Sequence, residues 1–192
     1  MKSFSPLLVF LFIICLSCRT TRPAVKMHEG SERYSSAETG LATGETNFSD
    51  HSTWLLGYFD VERLQKEPYS SWYIKGYDEY TPNADVMDSL GKLSKDDLMI
   101  EIVMGTWCPD SRREVPRFMR ILDTWQFPAD NVVFIGVDDT KQSPVGGFDT
   151  LNIEWVPTFI FLKNKVEAGR IIENPETSLE QDMLNILTRN EK

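Results

Sequence analysis

The alternation of apolar and polar residues predicts a strand, a helix and a second strand in the middle of the chain. Residues 98–104 (LMIEIVM) form a short, mostly apolar run, and so do residues 131–137 (NVVFIGV). Between them, residues 110–125 carry apolar side chains at helical spacing on one face, namely Val115, Phe118, Met119 and Leu122. Continuously apolar strands are typical of buried parallel sheets. We therefore expect a βαβ unit with a parallel pair of strands.

The C-terminal pattern predicts a hairpin followed by a helix. Residues 159–162 and 169–172 have the composition of strands and lie on either side of an Asn164-Lys165 turn. Thr177 and Glu180 have the spacing of a capping box, which opens a final helix. The inward side chains of this helix are expected to be Leu179, Met183, Ile186 and Leu187.

Residues 51–94 predict a helical N-terminal extension that is rich in aromatic residues. A short helix over residues 61–67 is expected to begin after Asp60 and to end at Pro68, and another helix is expected after Pro82. Between them lie Tyr69, Trp72, Tyr73, Tyr77 and Tyr80. Such rings would suit carbohydrate or peptide binding, but we favour the simpler interpretation that they pack the extension against the main core.

The first 18 residues predict a signal peptide. Lys2 precedes an uninterrupted apolar run of ten residues, 7–16, whereas a membrane-spanning helix needs about 20 residues. The run ends in Cys15-Leu16-Ser17-Cys18, which resembles a bacterial lipobox with Cys15 at the position usually held by leucine. The resemblance implies that Cys15 is removed with the signal and that Cys18 carries a diacylglyceryl group. The protein would then lie in the cell envelope, facing the periplasm and anchored to a membrane by lipid.

Residues 19–50 predict a flexible linker between this anchor and the folded part of the chain. The segment is rich in Ser, Thr, Gly and Glu and has no helical or strand period. His28 lies in the linker and His51 at its edge. We expect both histidines to be solvated residues and not metal ligands.

Composition narrows the classes of function. The 192 residues carry a formal net charge of -9, which argues against nucleic-acid binding and against membrane attachment through a basic patch. Three cysteines are too few for a disulfide scaffold, and no four-ligand Cys/His zinc pattern is present. The length suits one domain with an appendage.

Three features of residues 95–192 resemble the thioredoxin superfamily. Trp107-Cys108-Pro109-Asp110-Ser111 lies at a junction of strand and helix, Pro116 follows Cys108 by eight residues, and Val156-Pro157-Thr158 precedes the hairpin. More narrowly, GTWCPDSRREVP with the later GRIIENP looks like a group of exported bacterial thioredoxin-like proteins. The resemblance implies a thioredoxin-like three-layer α/β/α sandwich. It also implies a cis-proline at Pro157, packed against Cys108. The side chains expected to line a groove for an extended peptide are Trp107, Pro109, Asp110, Val156 and Thr158.

Cys108 is the candidate nucleophile. A thiolate attacks disulfides, and a cysteine at a helix start faces unpaired N–H groups and the positive end of the helix dipole, both of which favour the anion. Arg112 and Arg113 add positive charge to this first turn, whereas Asp110 and Glu114 oppose it.

Two departures from the thioredoxin pattern change the expected chemistry. Ser111 stands where dithiol thioredoxins have their second cysteine; a serine cannot form a disulfide, although its hydroxyl is expected to hydrogen-bond the Cys108 thiolate. Thioredoxins often bury an acid six positions before the reactive cysteine, and that position is Ile102 here. Glu101 is one residue out of register and would face the other side of the sheet unless a bulge moved it.

The sequence therefore predicts monothiol thiol–disulfide exchange through Cys108, with Ser111 and Pro157 as the other catalytic candidates. The expected partners are protein or peptide thiols and disulfides, with glutathione as a further candidate, and we expect a monomer without cofactor or metal. The alternative is a redox-inactive thioredoxin-fold module that binds a peptide or protein. A peroxidase is disfavoured because Thr106 lies two residues before Cys108 instead of three. A copper chaperone would need a second cysteine and a nearby histidine in this domain.

Overall fold

The computed structural model describes residues 46–189, which lie within one compact unit. The strands are β1 (Gly57–Phe59), β2 (Leu98–Met104), β3 (Val132–Gly136), β4 (Thr158–Lys163) and β5 (Val166–Ile172). The α-helices are α1 (Ser70–Glu79), α2 (Ala84–Leu90), α3 (Pro109–Thr124) and α4 (Leu179–Arg189). Short 3-10 helices cover His51–Thr53, Val61–Arg63, Ala129–Asn131 and Phe148–Leu151. No helix in the described part of the chain is long and apolar enough to cross a membrane.

The five strands form one sheet in the order β1-β3-β2-β4-β5. β2 and β3 are parallel, from Ile100 opposite Val132 to Met104 opposite Gly136, and every other neighbouring pair is antiparallel. The parallel pair and the β4–β5 hairpin agree with the predicted βαβ unit and hairpin. The fold is therefore a mixed α/β architecture.

The two faces of the sheet are covered differently. Alternate strand residues such as Ile102 pack in one large buried cluster with side chains from all four α-helices. The residues between them, including Val103 and Ile160, pack in a second cluster with Phe148 and Val156 from the connection between β3 and β4. The helices thus lie on one face, and an irregular segment covers part of the other.

The second helical layer expected from the resemblance is not formed within residues 46–189. Its place is taken by residues 137–157, in which the 3-10 helix Phe148–Leu151 is the regular element. This segment contains Asp138-Asp139, Pro144 and Gly146-Gly147, which disfavour a continuous helix and favour turns.

The N-terminal extension differs most from the sequence prediction. The helix expected over residues 61–67 is reduced to the 3-10 helix Val61–Arg63, and the chain forms α1 instead. β1 was not predicted, because three residues carry too short an apolar pattern. The helix expected after Pro82 is present as α2, with the Asn83 side chain accepting hydrogen bonds from the N–H groups of Asp85 and Val86.

The start of α4 is capped one residue later than predicted. The Ser178 hydroxyl accepts a hydrogen bond from the Gln181 N–H (3.3 Å), and the Asp182 carboxylate accepts from the Glu176 N–H (2.6 Å). Glu180 is therefore not part of a capping box. Its side chain is buried, with 3 % exposure, and it faces the extension.

Candidate functional site

Cys108 lies at the tight turn that joins β2 to α3. Its N–H donates to the Gly105 carbonyl (3.0 Å), and its own carbonyl accepts from the Arg112 N–H (3.1 Å), so that Cys108 is the N-cap residue of α3. Cys108 is 6 % exposed. The thiol donates a hydrogen bond to the Val156 carbonyl oxygen, with an S···O distance of 3.2 Å.

The segment before β4 brings Val156 and Pro157 to the sulfur. The Val156–Pro157 peptide bond is cis. The Pro157 carbonyl accepts a hydrogen bond from the Glu173 N–H (2.7 Å) at the end of β5, and the Thr158 hydroxyl donates to the Trp155 carbonyl (2.7 Å). The start of β4 and the end of β5 therefore hold the segment against Cys108.

Trp107 packs over the turn that carries Cys108. Its indole N–H donates to the Val137 carbonyl (3.0 Å), and a Cβ at Gly105 would lie 2.5 Å from its ring. Only glycine leaves room for the ring at that position. On its other side the ring contacts Trp54 of the N-terminal extension, at 6.2 Å between centroids.

Ser111 is fully buried and has a different partner from the one predicted. Its hydroxyl oxygen accepts a hydrogen bond from the Gly105 N–H at 3.3 Å. Within residues 46–189 the structure gives no hydrogen bond between this hydroxyl and the Cys108 sulfur. Ser111 therefore supports the turn of the motif, and the predicted bond to the thiolate is absent from this geometry.

The two arginines of the first turn of α3 have different surroundings. The Arg113 guanidinium pairs with Asp110 (2.7 Å) and with Glu114 (2.5 Å), and it also bonds Asn174. The bond to Glu114 is the main reason that the pKa of Arg113 is raised. The Arg112 guanidinium instead donates to the carbonyl oxygens of Thr106 and Trp107, at 3.2 Å each. The sequence suggested equal roles for the two residues, and the structure separates them.

Glu101 lies on the sheet face opposite Ile102, as its register implies. β2 pairs regularly with β3 and β4 on either side of Glu101, so no bulge moves its carboxylate. One carboxylate oxygen is buried and has no hydrogen-bond partner among residues 46–189. Burial raises the pKa of Glu101, the negative charge of Glu167 raises it further, and Arg170 opposes the shift.

The surface beside the site includes residues that the sequence analysis did not single out. Trp155, 54 % exposed, directly precedes Val156, and Ile172, 46 % exposed, lies opposite Thr158. Of the predicted groove residues, Pro109 is exposed, Trp107 and Asp110 are half-buried, and Val156 and Thr158 are buried. An isolated tryptophan before Val156-Pro157 was the signal in the sequence that could have identified Trp155.

Two predicted features lie outside the described residues, namely the signal peptide with Cys15 and Cys18, and the linker up to residue 45. Cys108 is a free cysteine in the described part of the chain. No group of three or more His, Cys, Asp or Glu side chains in that part is arranged to hold a metal ion.

Comparisons with known proteins give little further information. No protein-family model matches the chain, and no curated protein matches it. A crystal structure of a protein of unknown function from Pseudomonas aeruginosa is 14 % identical, with a TM-score of 0.45, and the match covers 62 % of this chain and 81 % of that one. A crystal structure of an HIV epitope scaffold is 17 % identical, with a TM-score of 0.39, and covers 62 % and 82 %.

Proposed function

We propose that this chain is a thioredoxin-like protein that carries out thiol–disulfide exchange through Cys108 alone. The observation that carries the proposal is the contact between the Cys108 sulfur, at the start of α3, and the carbonyl that precedes the cis-proline Pro157. The parallel β2–α3–β3 unit, the β4–β5 hairpin and the terminal helix α4 are consistent with such a fold.

The exchange step needs the thiolate of Cys108. The thiol proton, which the sulfur donates in a hydrogen bond to the Val156 carbonyl oxygen, is released to water. The sulfur then attacks one sulfur of a substrate disulfide, R–S–S–R′, which forms Cys108–S–S–R and expels R′–S⁻, and that thiolate takes up a proton. A second thiolate, R″–S⁻, from the substrate, another protein or glutathione, attacks the substrate sulfur of the mixed disulfide, forms R–S–S–R″ and expels the Cys108 thiolate. Because Ser111 cannot perform this second attack, the resolving thiol comes from outside the domain.

The proposed location is the cell envelope, with the chain exported and attached to a membrane through lipid on Cys18. The support is the sequence of residues 1–18, with its apolar run and its lipobox-like end. This anchor would hold the exchange site where disulfide-bonded proteins occur.

The test uses the full chain with Cys15→Ser and Cys18→Ser, so that Cys108 is its only thiol. The protein is mixed with a disulfide-linked peptide pair, and the adduct is measured by mass spectrometry. We expect one peptide per chain and release of an equal amount of free peptide thiol. The same chain with Cys108→Ser should form none. A folded Cys108 protein that forms no adduct at about pH 8, where an ordinary thiol is partly ionised, would overturn the proposal.

A non-redox peptide-binding module is the second candidate. The 6 % exposure of Cys108 favours it, because burial restricts attack by the sulfur. This candidate predicts that a reduced peptide binds equally well to the Cys108 protein and to Cys108→Ser in isothermal titration. Binding that needs both the peptide disulfide and the Cys108 thiol would exclude it.

A further inference from the structure

The Arg112 guanidinium carries a positive charge that no carboxylate of the described residues pairs with. Within residues 46–189, ion pairs occupy Arg113, Arg117 and Arg170, but none involves Arg112. Its two hydrogen bonds go to backbone carbonyl oxygens of the turn immediately before Cys108. Because the arginine side chain stays protonated in proteins, a full positive charge is held next to this turn.

Residues 48–55, at the junction of the predicted linker and the extension, cover this guanidinium. The Phe48 ring lies over it, 4.6 Å from the centroid to the guanidinium carbon. Phe48 is held in turn by Trp54, whose indole N–H donates to the Phe48 carbonyl (2.9 Å). A cation over an aromatic face is attracted to it, and more strongly when it is partly removed from water.

The same segment also holds the turn of the motif directly. The Thr106 hydroxyl donates to the Thr53 carbonyl (3.1 Å) and accepts from the Leu55 N–H (3.3 Å). Residues 48–55 therefore contact both the Arg112 guanidinium and the turn whose carbonyl oxygens accept hydrogen bonds from it. Burial lowers the pKa of the Arg112 guanidinium, and a negative charge on Cys108 opposes this lowering.

We propose that Arg112 is a positioning residue, held by Phe48, that fixes the turn before Cys108 and balances the negative charge of the Cys108 thiolate. The carbonyl oxygens of Thr106 and Trp107, in the two residues before Cys108, carry partial negative charge, and their bonds to the guanidinium offset it. Residues 48–55 then belong to the site. This inference rests on the proposed function, because it concerns the reactive form of the same sulfur.

The test is the rate of alkylation of Cys108 by iodoacetamide as a function of pH, in the full chain with Cys15→Ser and Cys18→Ser. In Arg112→Met, we expect the rate profile to move to higher pH and the rate near pH 7 to fall roughly 3- to 10-fold, as the loss of one nearby opposite charge implies. Arg112→Lys keeps the positive charge but lacks the forked donors of the guanidinium. Its alkylation rate near pH 7 should lie between those of the parent protein and Arg112→Met. Phe48→Leu should shift the profile in the same direction by less.

The double variant Arg113→Met with Glu114→Gln is the matched control, because it removes both members of an ion pair and leaves the net charge unchanged; its profile should coincide with that of the parent protein. Superimposable profiles for the parent, Arg112→Lys and Arg112→Met would overturn the inference. If Arg112→Met does not fold by circular dichroism, Arg112→Lys and Phe48→Leu decide the matter: unchanged profiles in both overturn it. Alkylation needs no disulfide substrate. An Arg112-dependent profile without any peptide adduct therefore refutes the proposed function and leaves this inference standing.

Discussion

The side chains of Glu180 and Glu101 both point into the protein, and their surroundings shift their pKa values in opposite directions. Burial raises the pKa of Glu180, but hydrogen bonds from the Asn83 N–H (2.9 Å) and the Tyr80 hydroxyl (2.7 Å) outweigh it and hold the pKa below its ordinary value of 4.5. Glu101 lacks such donors, and its pKa is raised above 4.5, first by burial and then by Glu167. The number of hydrogen-bond donors to the carboxylate thus decides whether its pKa is lowered or raised.

Glu180→Gln should lower the free energy of unfolding at neutral pH by about 1 to 3 kcal/mol, because a charged acceptor of two hydrogen bonds is lost. A carboxyl whose pKa is lowered in the folded state adds stability above 4.5, and this contribution is lost as the pH falls through the folded value. The difference between the parent protein and the variant should therefore shrink in acid. Urea unfolding at a series of pH values measures it.

Glu101→Gln provides the matched comparison and should change the free energy of unfolding at neutral pH in the opposite direction. A carboxyl whose pKa is raised in the folded state costs stability when it is ionised, and this cost disappears as the pH falls below 4.5. The variant should be more stable than the parent at neutral pH and equal to it in acid. Arg170 keeps both bonds to Glu167, at 2.6 Å each, in either protein. If both variants change the free energy of unfolding at neutral pH in the same direction, this account of the two carboxylates is wrong.

At the scale of elements, the end of β3 shows how closely the extension approaches the sheet. A Cβ at Gly136 would lie 2.0 Å from the Leu55 carbonyl oxygen, which is backbone and cannot rotate away. Gly136 is also paired with Gly57 of β1. The segment that leads into β1 and contacts Thr106 can therefore lie in this place only because residue 136 is a glycine.

Gly136→Ala should lower the free energy of unfolding by about 1 to 3 kcal/mol or more, because the backbone of one of the two segments must move. Gly146→Ala is the control, since no atom lies within 4 Å of a Cβ there, and its effect should stay within about 0.5 kcal/mol. Urea unfolding followed by tryptophan fluorescence measures both. Equal stability of the two variants would show that residues 55 and 136 are not in close contact.

The elements that the sequence predicted well are those with long apolar patterns. Residues 98–104 agree with β2, and the face containing Phe118 agrees with α3. The sequence does not predict α1 clearly. Tyr69, Tyr73 and Tyr77 recur every four residues, but aromatic residues at this spacing also suit a packing cluster without a helix. Tyr58 in β1 is 66 % exposed, so no apolar signal marked that strand.

The candidate site was predictable only in part. The proximity of Cys108 and the segment at Pro157 was an implication of the thioredoxin resemblance, and the structure places the Cys108 sulfur against the Val156 carbonyl. The direction of the Arg112 side chain and the hydrogen-bond partner of Ser111 could not be predicted, because both depend on backbone groups of the intervening turn. The contact of Phe48 with Arg112 joins residues far apart in the chain, and no local pattern encodes such a contact.

At the scale of the whole molecule, the extension and the sheet share one hydrophobic core. Leu64, Tyr73 and Leu90 from residues 51–94 lie in the same buried cluster as Phe118 and the strands. α1 crosses α3 where Gly76 meets Pro116; a Cβ at Gly76 would lie 2.7 Å from the proline ring. The sequence placed a boundary between residues 94 and 95, but the core continues across it.

Residues 46–189 should therefore unfold as one cooperative unit, and Leu64→Ala tests this from within the extension. Leu64 is completely buried, so its truncation should cost about 2 to 5 kcal/mol, whereas truncation of the half-exposed Leu56 should cost far less. Hydrogen exchange in low concentrations of urea, followed by mass spectrometry of peptides, reports each segment separately. If the core is shared, Leu64→Ala lowers the protection of β2 and β3 by the same free energy as that of α1. Loss of protection confined to residues 57–94 would instead show that the extension unfolds by itself. The contacts of residues 48–55 with the Cys108 turn would then be broken without unfolding the sheet.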